Sequence, residues 1–368
     1  MAEPKTLSKK RIASIDALRG FDMFWIVGGG TIFYNLYDVW PNAFTKTIQT
    51  QLEHVTWAGF RFEDLIFPLF LFIVGLVLPL SNQKRLSSGQ SKSQLYIHII
   101  KRTLLLFLIG LIYNGLLKFD FENMRWTGVL QRIAICYFFA SIIVINTKFK
   151  SQAFIIAVLL IGYWLASAYI PVPGYGAGDF SAEGCLSSWV DQNFLPGKLY
   201  YGFGDNEGLI SNITAVATTL IGCLAGQFLT SDRDQNKKTI VLVIAAMFSL
   251  ALGYIWATFF PIIKNIWTSS FVLVAAGYSL LLLAAFYYII DVKNYKKWSF
   301  FFIVIGANAI FIYFTTDFVN YPGIAEYFLA GTLEIAKPYA PLILPIGALA
   351  VEWLLLYIFY KNKIFIKL

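Results

Sequence analysis

LIFPLFLFIVGLVLPLS, residues 65–81, runs for seventeen positions without a charge and decides the fold class. A helix rises about 1.5 Å per residue, so spanning a bilayer takes roughly 20 mostly apolar residues, with about 17 as the lower bound. Nine further stretches qualify: 17–37, 103–118, 129–146, 152–171, 212–229, 239–259, 270–290, 299–318 and 342–360. Proline, glycine and charged clusters separate them, as turns and interfacial loops require. The composition agrees. Of 368 residues 58% are hydrophobic and only 14% charged, against about a quarter charged in soluble domains. A soluble enzyme is excluded, as are collagenous, disordered and disulfide-scaffold chains. The expected fold is all-α, a polytopic helical membrane protein of about ten transmembrane helices, forming one transmembrane unit over 1–368.

The net charge of +8 points to membrane orientation and not to nucleic acid, because the cations fall in short clusters between apolar runs. With the N-terminus cytoplasmic, one set of loops holds 21 of the 29 Lys and Arg, among them Lys9, Lys10, Lys84, Arg85, Lys101, Arg102, Lys296 and Lys367. The opposite set holds seven, including Arg61, Arg125, Lys198 and Lys264, and Arg132 lies inside a span. A three-to-one bias of this kind places both termini in the cytoplasm. Residues 38–64 and 172–211 are then extracytoplasmic loops, and 82–102 is a basic cytoplasmic loop. The second long loop carries Asp179, Glu183, Asp191, Asp205 and Glu207. Trp40, Trp57, Trp126, Tyr200, Tyr201 and Trp267 crowd the expected interfaces, as an aromatic belt does. The first apolar run follows LSKKRIASIDALRG without a small-residue cleavage site, so the first helix is expected to be retained. Three cysteines give neither a disulfide framework nor metal-ligand spacing; Cys136 and Cys223 read as small core residues.

Two histidines are present. His98, in SKSQLYIHIIKR, reads as a cytoplasmic surface residue. His54, in QLEHVTWAGFRFEDLIFP, lies on the far side, just before the second span. Histidine is the side chain best poised for proton transfer near neutral pH, although a structural role at the interface is the plainer reading. Asp64 follows ten residues later. On a continuous helix the two would stand roughly 15 Å apart; Gly59 offers a break, and Asp64 also suits a helix cap. Other polar groups within or beside spans are Asp16, Arg19 and Asp22 in DALRGFD, Gln131 and Arg132, Lys264 and Asn265, and Asn308. Burying such groups in a membrane is costly, and together they suggest an enclosed polar cavity, although an ion pair or an interhelical amide accounts for each singly. Gly28, Gly29 and Gly30 read as close helix packing. No Walker loop, HExxH or dinucleotide glycine pattern occurs, and no metal site is expected.

Several landmarks then align in chain order. They are RIASIDALRG (11–20), HVTWAGFRFEDLIFPLFLFIVG (54–75), RWTGVLQR (125–132), PVPG (171–174), DNEG (205–208), KNIWTSS (264–270), DVK (291–293) and KIF (363–365). In these the chain resembles the heparan-α-glucosaminide N-acetyltransferase family of polytopic membrane acyltransferases, as a bacterial member. The resemblance implies acetyl transfer from cytosolic acetyl-CoA to the amine of a terminal glucosamine-type sugar outside the cytoplasm. It implies His54 as general base or acetyl carrier and Asp64 as its catalytic partner. Glu207, Lys264, Asn265, Trp57 and Asn308 are the implied substrate-binding residues, while Arg19, Gln131 and Arg132, with Arg102, are candidates for coenzyme A. A bacterial inner-membrane protein, in contact with lipid and acting on an amino-sugar or glycan acceptor outside the cytoplasm, fits the compact form, and the family resemblance adds a homodimer. Ile26-Val27 stands where the pattern has an asparagine before its glycine triplet, and Cys185 lacks the partner that the family loop supplies. The competing reading is an amino-sugar transporter or permease, since ten helices with buried polar groups also describe transporters; no matched pair of broken helices is obvious in the sequence.

Overall fold

The computed structural model describes residues 12–366, so the cationic cluster Lys5–Arg11 and Lys367 lie outside the described residues. The chain enters through α1 (Ala13–Phe24), a π-helical turn (Trp25–Gly29), α2 (Gly30–Tyr34) and α3 (Leu36–Val39), followed by the outer helix α4 (Ala43–Gln51). Long helices follow: α5 (Phe62–Ser87), α6 (Lys92–Tyr113), α7 (Val129–Asn146) and α8 (Phe149–Tyr169). After the short α9 (Leu186–Phe194) come α10 (Ser211–Leu229), α11 (Gln235–Trp256) and α12 (Ser269–Phe286). The chain ends with α13 (Phe300–Ala307), α14 (Ala309–Thr315), α15 (Tyr321–Ile335) and α16 (Ala340–Lys361). Among the described residues, eight helices are long and apolar enough to cross a membrane. The protein is an integral membrane protein.

The two expected spans missing from those eight are present as broken helices. The first interrupts at Val27 and at Gly28, whose φ of 118° belongs to the left-handed region open to glycine. A Cβ on Gly28 would meet nothing within 4 Å. The triplet expected to pack helices closely therefore supplies a kink at this position. The other break is at Asn308 (φ −129°, ψ 42°), which separates α13 from α14. One of the expected loops is also largely helical. Residues 82–102 are mostly the ends of α5 and α6, joined through 88–91, because both helices continue past the apolar stretch into charged sequence.

Close backbone approach builds the centre. A Cβ on Gly75 of α5 would stand 1.9 Å from the Thr219 carbonyl oxygen of α10, and one on Gly222 would stand 2.0 Å from that of Phe72. Small residues thus let α5 and α10 pack backbone to backbone, the mode available where lipid removes the hydrophobic drive between helices. Around this pair Phe72, Leu76, Cys223 and Phe271 are fully buried. Leu104, Phe154, Ile244 and Phe248 on α6, α8 and α11 remain exposed, as lipid-facing side chains should be.

Candidate active site

Between α4 and α5 the chain leaves the helix for residues 52–61 and turns at Gly59 (φ 134°). That turn is pinned to the loop between α11 and α12: the Gly59 amide donates to the Ile262 carbonyl at 2.8 Å, and Ala58 bridges Ile263. Leaving the helix brings His54 back onto the first turn of α5. Its Nδ1 lies 2.9 Å from Oδ1 of Asp64, a wholly buried carboxylate, while the His54 side chain keeps 55% of its surface exposed. The second Asp64 oxygen accepts from the Arg61 amide at 3.0 Å, so the residue caps the helix and orients the ring at once. The Arg61 guanidinium donates to the His54 carbonyl at 3.2 Å, fixing the backbone as well.

Lys264 comes from the pinned loop. Its Nζ lies 3.0 Å from Nδ1 and 3.2 Å from Nε2 of His54, and 3.6 Å from Oδ1 of Asp64. Burial pushes its ammonium below the ordinary lysine value, against the pull of the Asp64, Glu207 and Glu63 carboxylates. The loop is held from several sides. Tyr163 Oη donates to the Ile266 carbonyl at 2.6 Å, Thr214 Oγ1 to that of Trp267 at 2.6 Å, and the Trp267 indole to Thr218 Oγ1 at 3.1 Å. With Nδ1–H donated to Asp64, the ring's lone pair lies on Nε2, 3.2 Å from Lys264 Nζ. That nitrogen can take a proton or attack a carbonyl carbon, and the buried carboxylate stabilises the imidazolium that results.

A second charged group lies on the same face. The Arg125 guanidinium donates to both Asp205 oxygens at 2.8 and 2.5 Å, pairs with Glu207, and stacks over the Tyr200 ring at 4.7 Å. Asp205 also accepts from the Tyr200 and Glu207 amides, and Asp191 from those of Asp205 and Leu209. Although burial opposes it, hydrogen bonding to Arg125 holds Asp205 below the usual carboxylate range, whereas burial pushes Asp191 up to about 6.

Residues 11–186 match the family model for the catalytic region of heparan-alpha-glucosaminide N-acetyltransferase. The enzymes of that name from Mus musculus and Homo sapiens are each 26% identical to the chain, aligned over 100% and 97% of it. Over this region the chain is similar to the heparan-alpha-glucosaminide N-acetyltransferase family. It spans about three fifths of the length of these two relatives, 62% and 60% respectively. The matched region contains His54, Asp64 and Arg125; Lys264, Asp205 and Glu207 lie beyond it.

On this N-acetyltransferase-like chain the structure brings His54, Asp64 and Lys264 together, with Glu207 in electrostatic reach of Lys264. Asn265 is buried beside Lys264. Trp57 donates to the Phe180 carbonyl at 2.8 Å and packs with Phe180 against Cys185, Ile263 and Ile266, tying loop 172–211 to the Lys264 loop. Asn308 does not join the group. Its amide donates to the Ile364 carbonyl at 3.0 Å and accepts from the Ile366 amide at 2.8 Å, holding the chain end. Gln131 and Arg132 sit in the first turn of α7. Gln131 donates to the Trp126 carbonyl at 3.4 Å. Arg132 is 1% exposed, bonded to Ser211 and Asn212, and stacked over Trp267 at 4.7 Å. Arg19 lies midway along α1, bonded to Asp16 at 3.0 Å and to the Gly306 carbonyl at 2.7 Å. Arg125 went unrecognised as a site residue, although the RWTGVLQR and DNEG landmarks already held it and both of its carboxylate partners.

Proposed function

We propose that the chain is a transmembrane acetyltransferase that moves an acetyl group from cytosolic acetyl-CoA to the amine of an extracytoplasmic amino sugar of the glucosamine type, in a bacterial inner membrane. The observation that carries this reading is the His54–Asp64–Lys264 group on the face that the charge count places outside the cytoplasm. An amine attacks a thioester only when deprotonated. His54 Nε2 takes that proton while Asp64 fixes the ring and stabilises its charged form. Lys264 supplies a cation beside the ring, where the oxygen of a tetrahedral intermediate gathers negative charge. Arg19 of α1 and Arg102 of α6 are the guanidinium groups assigned to the coenzyme phosphates in this reading. The same Nε2 is the atom that would carry the acetyl group in a two-step relay; label retained on the protein in the absence of amine marks that route.

The permease reading draws on one observation, the breaks in the first and ninth spans, since discontinuous helices mark transporter sites. It predicts substrate movement without acetyl-CoA. The test is transfer from labelled acetyl-CoA to glucosamine by purified protein, wild type beside His54→Ala. Label on the amine that vanishes in the variant is expected. Equal labelling by both would remove His54 from the chemistry, and glucosamine uptake without any labelling would make the protein a transporter.

A further inference from the structure

Four aromatic rings form a continuous run that starts at the segment carrying His54. Trp57 follows His54 by three residues, at most roughly 10 Å along the chain, and packs edge-on against Phe203 at 6.1 Å. Phe203 stacks on Tyr201 at 5.4 Å with the two planes 7° apart, and Tyr201 meets Tyr200 edge to face at 4.8 Å. The turn that presents these rings is fixed. The Tyr201 amide donates to the Gly204 carbonyl at 3.0 Å around Gly202 (φ 79°), and the Gln192 side chain donates to the Phe203 carbonyl at 2.7 Å. Tyr200 and Tyr201 nevertheless stay exposed. An aromatic belt rings a bundle at the lipid boundary, whereas this run leads from the His54 segment to a charged group: Tyr200 lies under the Arg125 guanidinium, which pairs with Asp205 and Glu207. Rigid rings beside a reactive centre can hold the apolar C–H face of a sugar, and small-molecule sites combine such rings with a few polar groups. Charge narrows the ligand further. Residues 172–211 contain Asp179, Glu183, Asp191, Asp205 and Glu207 against Lys198 alone, and Arg125 adds one cation to them. A uronate or sulfated ring would meet like charge there, and a neutral ring would not.

We propose that Tyr200, Tyr201 and Phe203 form a second sugar subsite, so that the acceptor is an oligosaccharide whose terminal amino sugar reacts at His54 while its next, uncharged ring lies on this aromatic ledge. The inference rests on the acetyl-transfer reading and narrows its substrate. Trp57 joins the two subsites, being attached to the His54 segment at one end and to Phe203 at the other.

The test compares kcat/KM of the purified full chain, with acetyl-CoA as donor, for three acceptors that each carry a single free amine: glucosamine, glucosaminyl-N-acetylglucosamine and glucosaminyl-glucuronate. The wild type should prefer the neutral disaccharide to glucosamine about fivefold, the size of one stacking contact, and should use the glucuronate disaccharide no better than glucosamine. Tyr201→Ala should bring the ratio of neutral disaccharide to glucosamine down to about one, while Tyr201→Phe, which keeps the ring, should retain the preference. Each ratio is taken within one preparation, so any loss of folded protein in a variant cancels. Transfer to glucosamine with a wild-type ratio of one, with a ratio that Tyr201→Ala leaves unchanged, or with a preference for the glucuronate disaccharide overturns the subsite and leaves the acetyl-transfer reading in place. Absence of transfer to all three acceptors overturns both.

Discussion

The face built by segments 38–64 and 172–211 carries two charged groups that differ in how completely they are satisfied. Arg125, Asp205 and Glu207 form a closed set: the guanidinium contacts both carboxylates and an aromatic ring, and backbone amides fill further acceptor sites. His54, Asp64 and Lys264 form an open one. Asp64 is buried and fully used, yet the ring it holds is more than half exposed. A closed network fixes a shape; an open one, held from behind, can do chemistry. The first folds loop 172–211, and the second is where a substrate amine would meet an acetyl group.

The contrast can be broken from either side. The largest effect should come from His54→Ala, which removes the base and with it roughly 10²–10⁴-fold in transfer rate. Its melting temperature should fall only modestly, because Lys264 Nζ still lies 3.6 Å from the Asp64 oxygen that the ring leaves. Rate and thermal unfolding measured on one preparation check both halves. Asp64→Asn should cost on the order of 10²-fold in rate, since the amide can still accept from the Arg61 amide but no longer stabilises imidazolium; full activity would remove Asp64 from the mechanism. Arg125→Gln should act oppositely, lowering stability by about 2 kcal/mol by leaving two carboxylates unpaired, a figure reduced for the partial exposure of the guanidinium. Transfer per folded molecule should survive it.

The smallest effect is a pH dependence of the closed group. Asp205 has a lowered native value, so its stabilising share is present above about 4 and is lost as pH falls through that depressed value. Asp191 acts the other way. Its value is raised to about 6, so the share it contributes is lost as pH rises from about 4 through that point. Hydrogen exchange across 186–211 should therefore be slowest in mildly acid solution and quicken on both sides. Arg125→Gln should flatten the acid side.

Hydropathy located the spans well where the helices are continuous. Residues 129–146 form a helix over the bounds read from the sequence, because charged and glycine-containing segments flank it closely. Averaged apolarity carries no φ and ψ, so the breaks at Gly28 and Asn308 were not visible in it. The His54–Asp64 pair was half legible. A spacing of ten on a straight helix argues against contact, and only the departure from helix at 52–61, turned by Gly59, closes the distance to 2.9 Å. The Lys264 contact joins residues 210 apart in sequence, and no local pattern encodes such a meeting. Arg125 was hidden for another reason. Counted as a loop cation it served the topology argument, and nothing in its neighbourhood announces two carboxylates eighty residues away.

The central claim is that chemistry resides in the open group and shape in the closed one. Its most direct test is the single-turnover transfer rate per folded molecule for His54→Ala and Arg125→Gln, with thermal unfolding of each. The account predicts a stable but inert His54 variant and a weakened Arg125 variant that still transfers acetyl. An active His54 variant beside a fully stable but inert Arg125 variant would contradict it.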